Sequence, residues 1–168
     1  MELSKRVQNV SPSATLALSA KAKQLQKDGY DVKNLTAGEP NFNTPEHIKK
    51  AAIQAIQAGK SDFYTAALGI VELRKAIAKT TNAQYHTDYT FENVAVTVGG
   101  KFSLYAVSQT ILDPGDEVLI PLPYWVSYSE QVKLAEGKPV FVLPETKSLK
   151  VTVAALEAKR TEKTKAVI

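Results

Sequence analysis

The stretch VAVTVGGKFSLYAVSQTILDPGDEVLIPLPYWVSYSE, residues 94–130, reads as one strand–helix–strand unit. β-Branched residues alternate in NVAVTV (Asn93–Val98), which predicts a strand, and apolar residues at helical spacing follow it. The Asp-Pro-Gly-Asp turn at Asp113–Asp116 then precedes EVLIP (Glu117–Pro121), an almost continuous apolar run. Such a run is typical of a strand that is covered on both faces, so we expect two parallel strands joined by a crossover helix.

The rest of the chain continues this alternation of helices and strands, which predicts an α/β fold with a mostly parallel sheet. Residues 1–12 are polar and unpatterned, and we expect them to form an arm. The predicted helices are Ser13–Asp28, a segment from Thr44 (as N-cap) to about Ala58, Ile70 to about Asn82, Val126–Ala135 and Val153–Arg160; the further predicted strands are Asp31–Leu35, Pro139–Leu143 and Lys165–Ile168.

The amino-acid composition argues against several classes of site and partner. The chain has no cysteine, which excludes a disulfide framework and a thiolate metal site, and its two histidines, His47 and His86, lie far apart. The 21 lysines and arginines are scattered rather than gathered in one tract, which disfavours a nucleic-acid partner. No apolar run resembles a secretion signal or a membrane span, so we expect a cytoplasmic protein without a membrane partner.

The turn between the first predicted strand and its helix carries Gly99, Gly100 and Lys101. Glycines allow backbone N–H groups to approach a ligand closely, and the first N–H groups of a helix can bind an anion. The named phosphate motifs are absent, because a Walker loop needs glycine where Ala95 stands and Ser or Thr where Phe102 stands. From the residues alone, a plain turn that needs glycine for steric reasons is an open alternative.

The only tryptophan of the chain, Trp125, follows the next predicted strand in the loop Pro-Tyr-Trp. Ligands of parallel α/β sheets bind at the carboxyl edge of the strands, where this loop and the glycine turn would both lie. We therefore predict that the indole stacks on a flat ring beside an anion site. The alternative is an ordinary core tryptophan.

Four blocks of the sequence, LTAGEPNFNTPEHIKKAA, FYTAALGIVELRKAI, VTVGGKFSLY and DPGDEVLIPLPYWVSY, resemble successive blocks of the class I aminotransferases. The likeness is greatest to the bacterial aspartate aminotransferase branch of the fold-type I pyridoxal-phosphate (PLP) enzymes. It implies a partial three-layer αβα large domain of the PLP-transferase type. Residues 1–45 would be the N-terminal arm and the start of a small domain, and residues 46–168 the N-terminal, truncated part of the PLP-binding large domain.

The resemblance also implies roles for individual residues. The backbone N–H groups of Gly99–Lys101 would hold the phosphate of pyridoxal 5′-phosphate, and Trp125 would stack on its ring and border the substrate. Tyr64 would reach across a homodimer to the partner's cofactor phosphate. The backbone of Gly38 would contact the substrate carboxylate, and the N-terminal arm would pack on the partner subunit.

The same resemblance places the reacting groups beyond Ile168. The lysine that binds PLP covalently, the aspartate that pairs with the pyridine nitrogen and the arginine that binds the substrate carboxylate all come later in the family. No catalytic residue is therefore predicted within these 168 residues. The expected activity is transamination between an amino acid such as aspartate and a 2-oxo acid. The alternatives are a non-catalytic remnant that at most binds phosphate or a partner chain, and a nucleotide-binding α/β module.

Overall fold

The computed structural model describes residues 2–36, 38, 40–60, 62–144 and 150–168. The described chain forms two compact units, one of Met1–Asn34 with Val98–Ile168 and one of Leu35–Thr97. The boundary predicted at residue 45, between the start of a small domain and the large domain, refers to the complete fold of the resembling family and stays a prediction. The elements are α1 (Lys5–Gln8), α2 (Ala14–Lys27), α3 (Glu46–Gln57), α4 (Val71–Tyr85), a 3-10 helix (Phe91–Asn93), α5 (Gly100–Ile111), β1 (Glu117–Pro121), α6 (Ser127–Leu134), β2 (Lys138–Val142), α7 (Val153–Glu157) and β3 (Thr164–Val167).

The first unit is built on a three-stranded sheet with the order β2-β1-β3, in which both pairings are parallel. The predicted strand Glu117–Pro121 is confirmed with the same bounds, and it lies at the centre of this sheet. Alternate residues of a strand face opposite sides, and β1 follows that rule. Val118 and Ile120 pack with Val132 of α6 on one side, while Leu119 packs with Ala155 of α7 on the other. The sheet is thus covered on both faces, as its continuous apolar sequence predicts.

The second unit contains α3, α4 and the 3-10 helix. Arg74 of α4 is buried, and its Nε donates a 2.8 Å hydrogen bond to the Val94 carbonyl. Its guanidinium carbon lies 5.2 Å from the centre of the Phe91 ring, a cation–π contact that stabilises the buried charge. Gly69 has φ +94°, and a Cβ there would lie 2.8 Å from Cβ of Val96, so the close approach of the two segments requires glycine.

Two predicted strands, Asn93–Val98 and Asp31–Leu35, are wrong. Residues 94–97 are not paired in a strand ladder, although Val94 has extended backbone angles and the Val96 N–H bonds to the Leu68 carbonyl at 3.0 Å. Residues 31–35 form no ladder either, and the Leu35 side chain is exposed. β-Branched residues favour an extended backbone, but a strand also needs a neighbouring strand, which local sequence does not supply.

Two predictions at the N-terminal ends of helices also need correction. The helix predicted to be capped by Thr44 begins at Glu46 with Pro45 at the N-cap, and no side chain of the described residues caps it. The arm is not wholly irregular, because it contains α1, whose N-cap Ser4 accepts a hydrogen bond from the Val7 N–H. The bounds of the predicted helices agree with the observed ones to within three residues, and the largest differences are the later end of α4 and the earlier end of α7.

Candidate functional site

The glycine turn lies at the start of α5. Gly99 is the N-cap with φ 91° and ψ 155°, and the helix begins at Gly100. Within the described residues, the N–H groups of Gly100 and Lys101 donate to no acceptor, whereas the Phe102 N–H bonds to the Gly99 carbonyl at 3.1 Å. A Cβ added at Gly99 or Gly100 would meet nothing within 4 Å. The turn therefore presents two backbone donors and the positive end of a helix dipole to open space.

Trp125 lies near this turn. Its indole ring centre is 5.6 Å from Nζ of Lys101, and the side chain is 52% exposed. The indole is thus neither sealed in the core nor remote from the turn, and the alternative of a core tryptophan is excluded by this geometry. The structure brings together the backbone donors, an ammonium group and an aromatic face.

The loop that carries Trp125 is anchored at both sides of the indole. It contains a cis Leu122–Pro123 peptide bond, and the Tyr124 hydroxyl lies 3.2 Å from Oγ of Ser129 in α6. The Tyr124 ring packs on the ring of Phe141 with centroids 5.2 Å apart. The Trp125 carbonyl accepts a hydrogen bond from the backbone N–H of the second residue of α6, and this bond connects the loop to that helix.

Gln131 of α6 holds the glycine turn by a hydrogen bond to its backbone, and the sequence analysis did not predict this contact. Its side chain is buried, and Nε2 donates a 2.8 Å hydrogen bond to the carbonyl of Lys101, 30 residues away. The other amide atom, Oε1, is buried and has no hydrogen-bond partner in the described structure. A glutamine between helical core positions was the only sequence signal, and by itself it indicates no contact.

The start of the chain reaches the same helix. The Ser11 N–H donates a 2.8 Å hydrogen bond to Oε2 of Glu130, while the other carboxylate oxygen, Oε1, accepts from Lys133 and Ser129. Burial alone would raise the pKa of Glu130, but the hydrogen bonds from Lys133, the Ser11 N–H and Ser129 together lower it below its ordinary value. The carboxylate is therefore held in its charged form as the acceptor for the arm.

The two remaining predicted residues, Tyr64 and Gly38, belong to the second compact unit. The Tyr64 side chain is fully exposed, so its hydroxyl is accessible to a partner. A Cβ at Gly38 would meet nothing within 4 Å. Their roles toward a partner's cofactor and toward the substrate stay predictions.

The residues of the first unit fit a phosphorylated flat ring. A phosphate dianion suits free backbone donors with an ammonium nearby, and a pyridinium suits the face of an indole. The part of the chain that the structure describes holds no group of three or more His, Cys, Asp or Glu residues that could bind a metal ion. None of its helices combines the length and the apolar character needed to cross a membrane.

Comparison with known proteins identifies aminotransferases both by the family model and by individual relatives. The family model described as aminotransferase class I and II matches residues 30–168. The aspartate aminotransferase of Bacillus subtilis is 47% identical over 100% of this chain and 43% of its own length. That of Geobacillus stearothermophilus is 50% identical over the same shares.

Among solved structures, aspartate aminotransferase from Thermus thermophilus with maleate superimposes with a TM-score of 0.94 at 45% identity. The match covers 99% of this chain and 44% of that one. It confirms the partial αβα fold of the PLP-transferase type. The chain spans less than half the length of these relatives.

Proposed function

Because this chain belongs to the class I and II aminotransferase family, we propose that it is the N-terminal portion of a PLP-dependent enzyme that transfers amino groups between an amino acid such as aspartate and a 2-oxo acid. The observation that carries the proposal is the position of Lys101 Nζ, 5.6 Å from the centre of the Trp125 ring, at a turn where two backbone N–H groups have no acceptor among the described residues. The maleate in the Thermus thermophilus structure, a four-carbon dicarboxylate, supports an acidic substrate.

In this proposal the first unit binds and orients the cofactor. The Gly100 and Lys101 N–H groups donate to the phosphate, and the Lys101 ammonium adds a charge-assisted contact. The exposed indole of Trp125 stacks on the pyridine ring and excludes water from that face. Bound PLP supplies an electron sink for the α carbon of the amino acid. The lysine, aspartate and arginine that complete the reaction are expected outside these 168 residues.

The proposal also includes assembly and location. Homodimerisation would bring the exposed Tyr64 to the phosphate of the partner's cofactor, and the Gly38 backbone would contact the substrate carboxylate. Both roles follow from family resemblance, as does packing of the arm on the partner subunit. A cytoplasmic location, predicted from the sequence, belongs to the same proposal.

Cofactor binding can be measured by the fluorescence of Trp125, because this is the only tryptophan. 4′-Deoxypyridoxine 5′-phosphate serves as the probe, since it has the ring and the phosphate but no aldehyde to react with lysines at random. We expect saturable quenching by this compound and much weaker quenching by unphosphorylated 4′-deoxypyridoxine. Lys101→Met should weaken the phosphorylated probe by roughly tenfold or more, because a hydrogen bond to a charged group contributes about 1.5–3 kcal/mol.

The unphosphorylated probe is the internal control for stacking alone. Lys75→Met is the control for loss of a lysine, because Lys75 is an exposed residue of α4 in the other compact unit. Equal quenching by the two probes, or no saturable quenching at all, would show that the turn is not a phosphate site.

A further inference from the structure

We infer that Gln131 is a positioning residue for the cofactor phosphate, and this inference rests on the proposed function. Its side chain is 6% exposed, and its Nε2 donates a 2.8 Å hydrogen bond to the Lys101 carbonyl. Lys101 supplies both a backbone N–H that has no acceptor in the described part of the chain and the ammonium group beside Trp125. One hydrogen bond from α6 therefore holds the backbone of the residue on which two of the proposed phosphate contacts depend.

The contact also joins the two halves of the site. The loop with Trp125 leads directly into α6, which begins at Ser127, and the turn with Lys101 opens α5. Gln131 lies one helical turn into α6 and bonds to the first turn of α5. The distance between the indole face and the free backbone donors is consequently set by this link as well as by packing of the two helices.

Packing alone does not account for a glutamine at this position. Oε1 of Gln131 is buried without a partner in the described structure, and an unpaired buried acceptor destabilises the folded state because its hydration is lost without compensation. Methionine has a similar length and volume and would fill the same space without that cost. What methionine lacks is the Nε2 donor to Lys101, so the donor is the property that distinguishes the two side chains here.

The test compares Gln131→Met with the wild type by Trp125 fluorescence, again with 4′-deoxypyridoxine 5′-phosphate. We expect the dissociation constant to rise roughly threefold to tenfold, as for loss of one hydrogen bond of ordinary strength. Thermal stability should stay unchanged or rise, because the unpaired acceptor is removed as well. Backbone amide exchange at Gly100 and Lys101 should become faster in the variant without any probe. Gln109→Met, an exposed position on α5, is the matched control and should leave all three measurements unchanged.

The outcomes separate this inference from the proposed function. Tight binding by the wild type and equally tight binding by Gln131→Met would overturn the positioning role and leave the cofactor assignment standing. No saturable binding by the wild type would overturn both. If Gln131→Met lowers stability, Gln131→Asn keeps the amide but shortens its reach by one methylene; unchanged affinity in that variant would also refute the role.

Discussion

Replacing Gly99 by alanine tests whether the backbone conformation of the turn is strained for any other residue. With φ 91° and ψ 155°, Gly99 occupies a region of backbone angles that is essentially restricted to glycine. A Cβ at this position would meet no atom within 4 Å, so a steric clash with neighbours contributes nothing. The whole effect of Gly99→Ala is therefore the conformational cost, about 1–3 kcal/mol.

Gly100→Ala is the matched control, because it adds the same methyl group one residue later. Here too a Cβ would meet nothing within 4 Å, but Gly100 is the first residue of α5 and has an ordinary backbone conformation. Alanine at such a position is neutral or stabilising by up to about 1 kcal/mol. The two variants should therefore differ by roughly 1–4 kcal/mol in the free energy of unfolding.

The assay is thermal or urea unfolding followed by circular dichroism. For a chain of this size, a loss of 1–3 kcal/mol lowers the melting temperature by roughly 2–12 °C. Gly99→Ala should fall within that range, while Gly100→Ala should melt at or above the wild-type temperature. Equal melting temperatures for the two alanine variants would refute the view that the angles at Gly99 require glycine.

Three other substitutions or conditions test separate parts of the structure. Ile120→Ala should lower the free energy of unfolding by about 2–5 kcal/mol in urea titrations, because Ile120 is completely buried between sheet and helix; a loss below 1 kcal/mol would contradict that burial. Arg74→Met should lower the free energy of unfolding by at least about 1.5 kcal/mol, since it removes a buried charged donor. Lys75→Met, which removes the other cation that contacts the same aromatic ring, should lower it by less than about 1 kcal/mol. Similar losses in the two variants would mean that the buried contact of Arg74 is unimportant. The lowered pKa of Glu130 means that its bond to the arm stabilises the fold above the ordinary glutamate pKa of about 4.3 and is lost as pH falls through the lower folded value. Exchange of the Ser11 amide should therefore stay slow down to about pH 4, and release of the arm between pH 5 and 6 would count against this contact.

How much of the site could be predicted follows from the kind of information each residue carries. The proximity of the glycine turn and Trp125 was predicted from two strands that end at one edge of a sheet. Only the strand before Trp125 is present in the described structure, since Asn93–Val98 does not pair, so the prediction was right although one of its two premises was wrong. The observed 5.6 Å between Lys101 and the indole agrees with that prediction. Gln131 was not predictable, because a single glutamine in a helix gives no indication of a carbonyl 30 residues away.

Local sequence was sufficient to predict helices α2 to α7, the central strand Glu117–Pro121 and the position of the glycine turn, because helical periodicity, apolar runs and turn residues are local properties. The short helix α1 in the arm was not predicted. Tertiary structure alone decided whether Asn93–Val98 pairs as a strand and which side chain holds the Lys101 carbonyl. The physical reason is that strand pairing and buried hydrogen bonds join residues remote in the chain. Their formation depends on how α5 and α6 pack on the sheet rather than on the residues' own preferences.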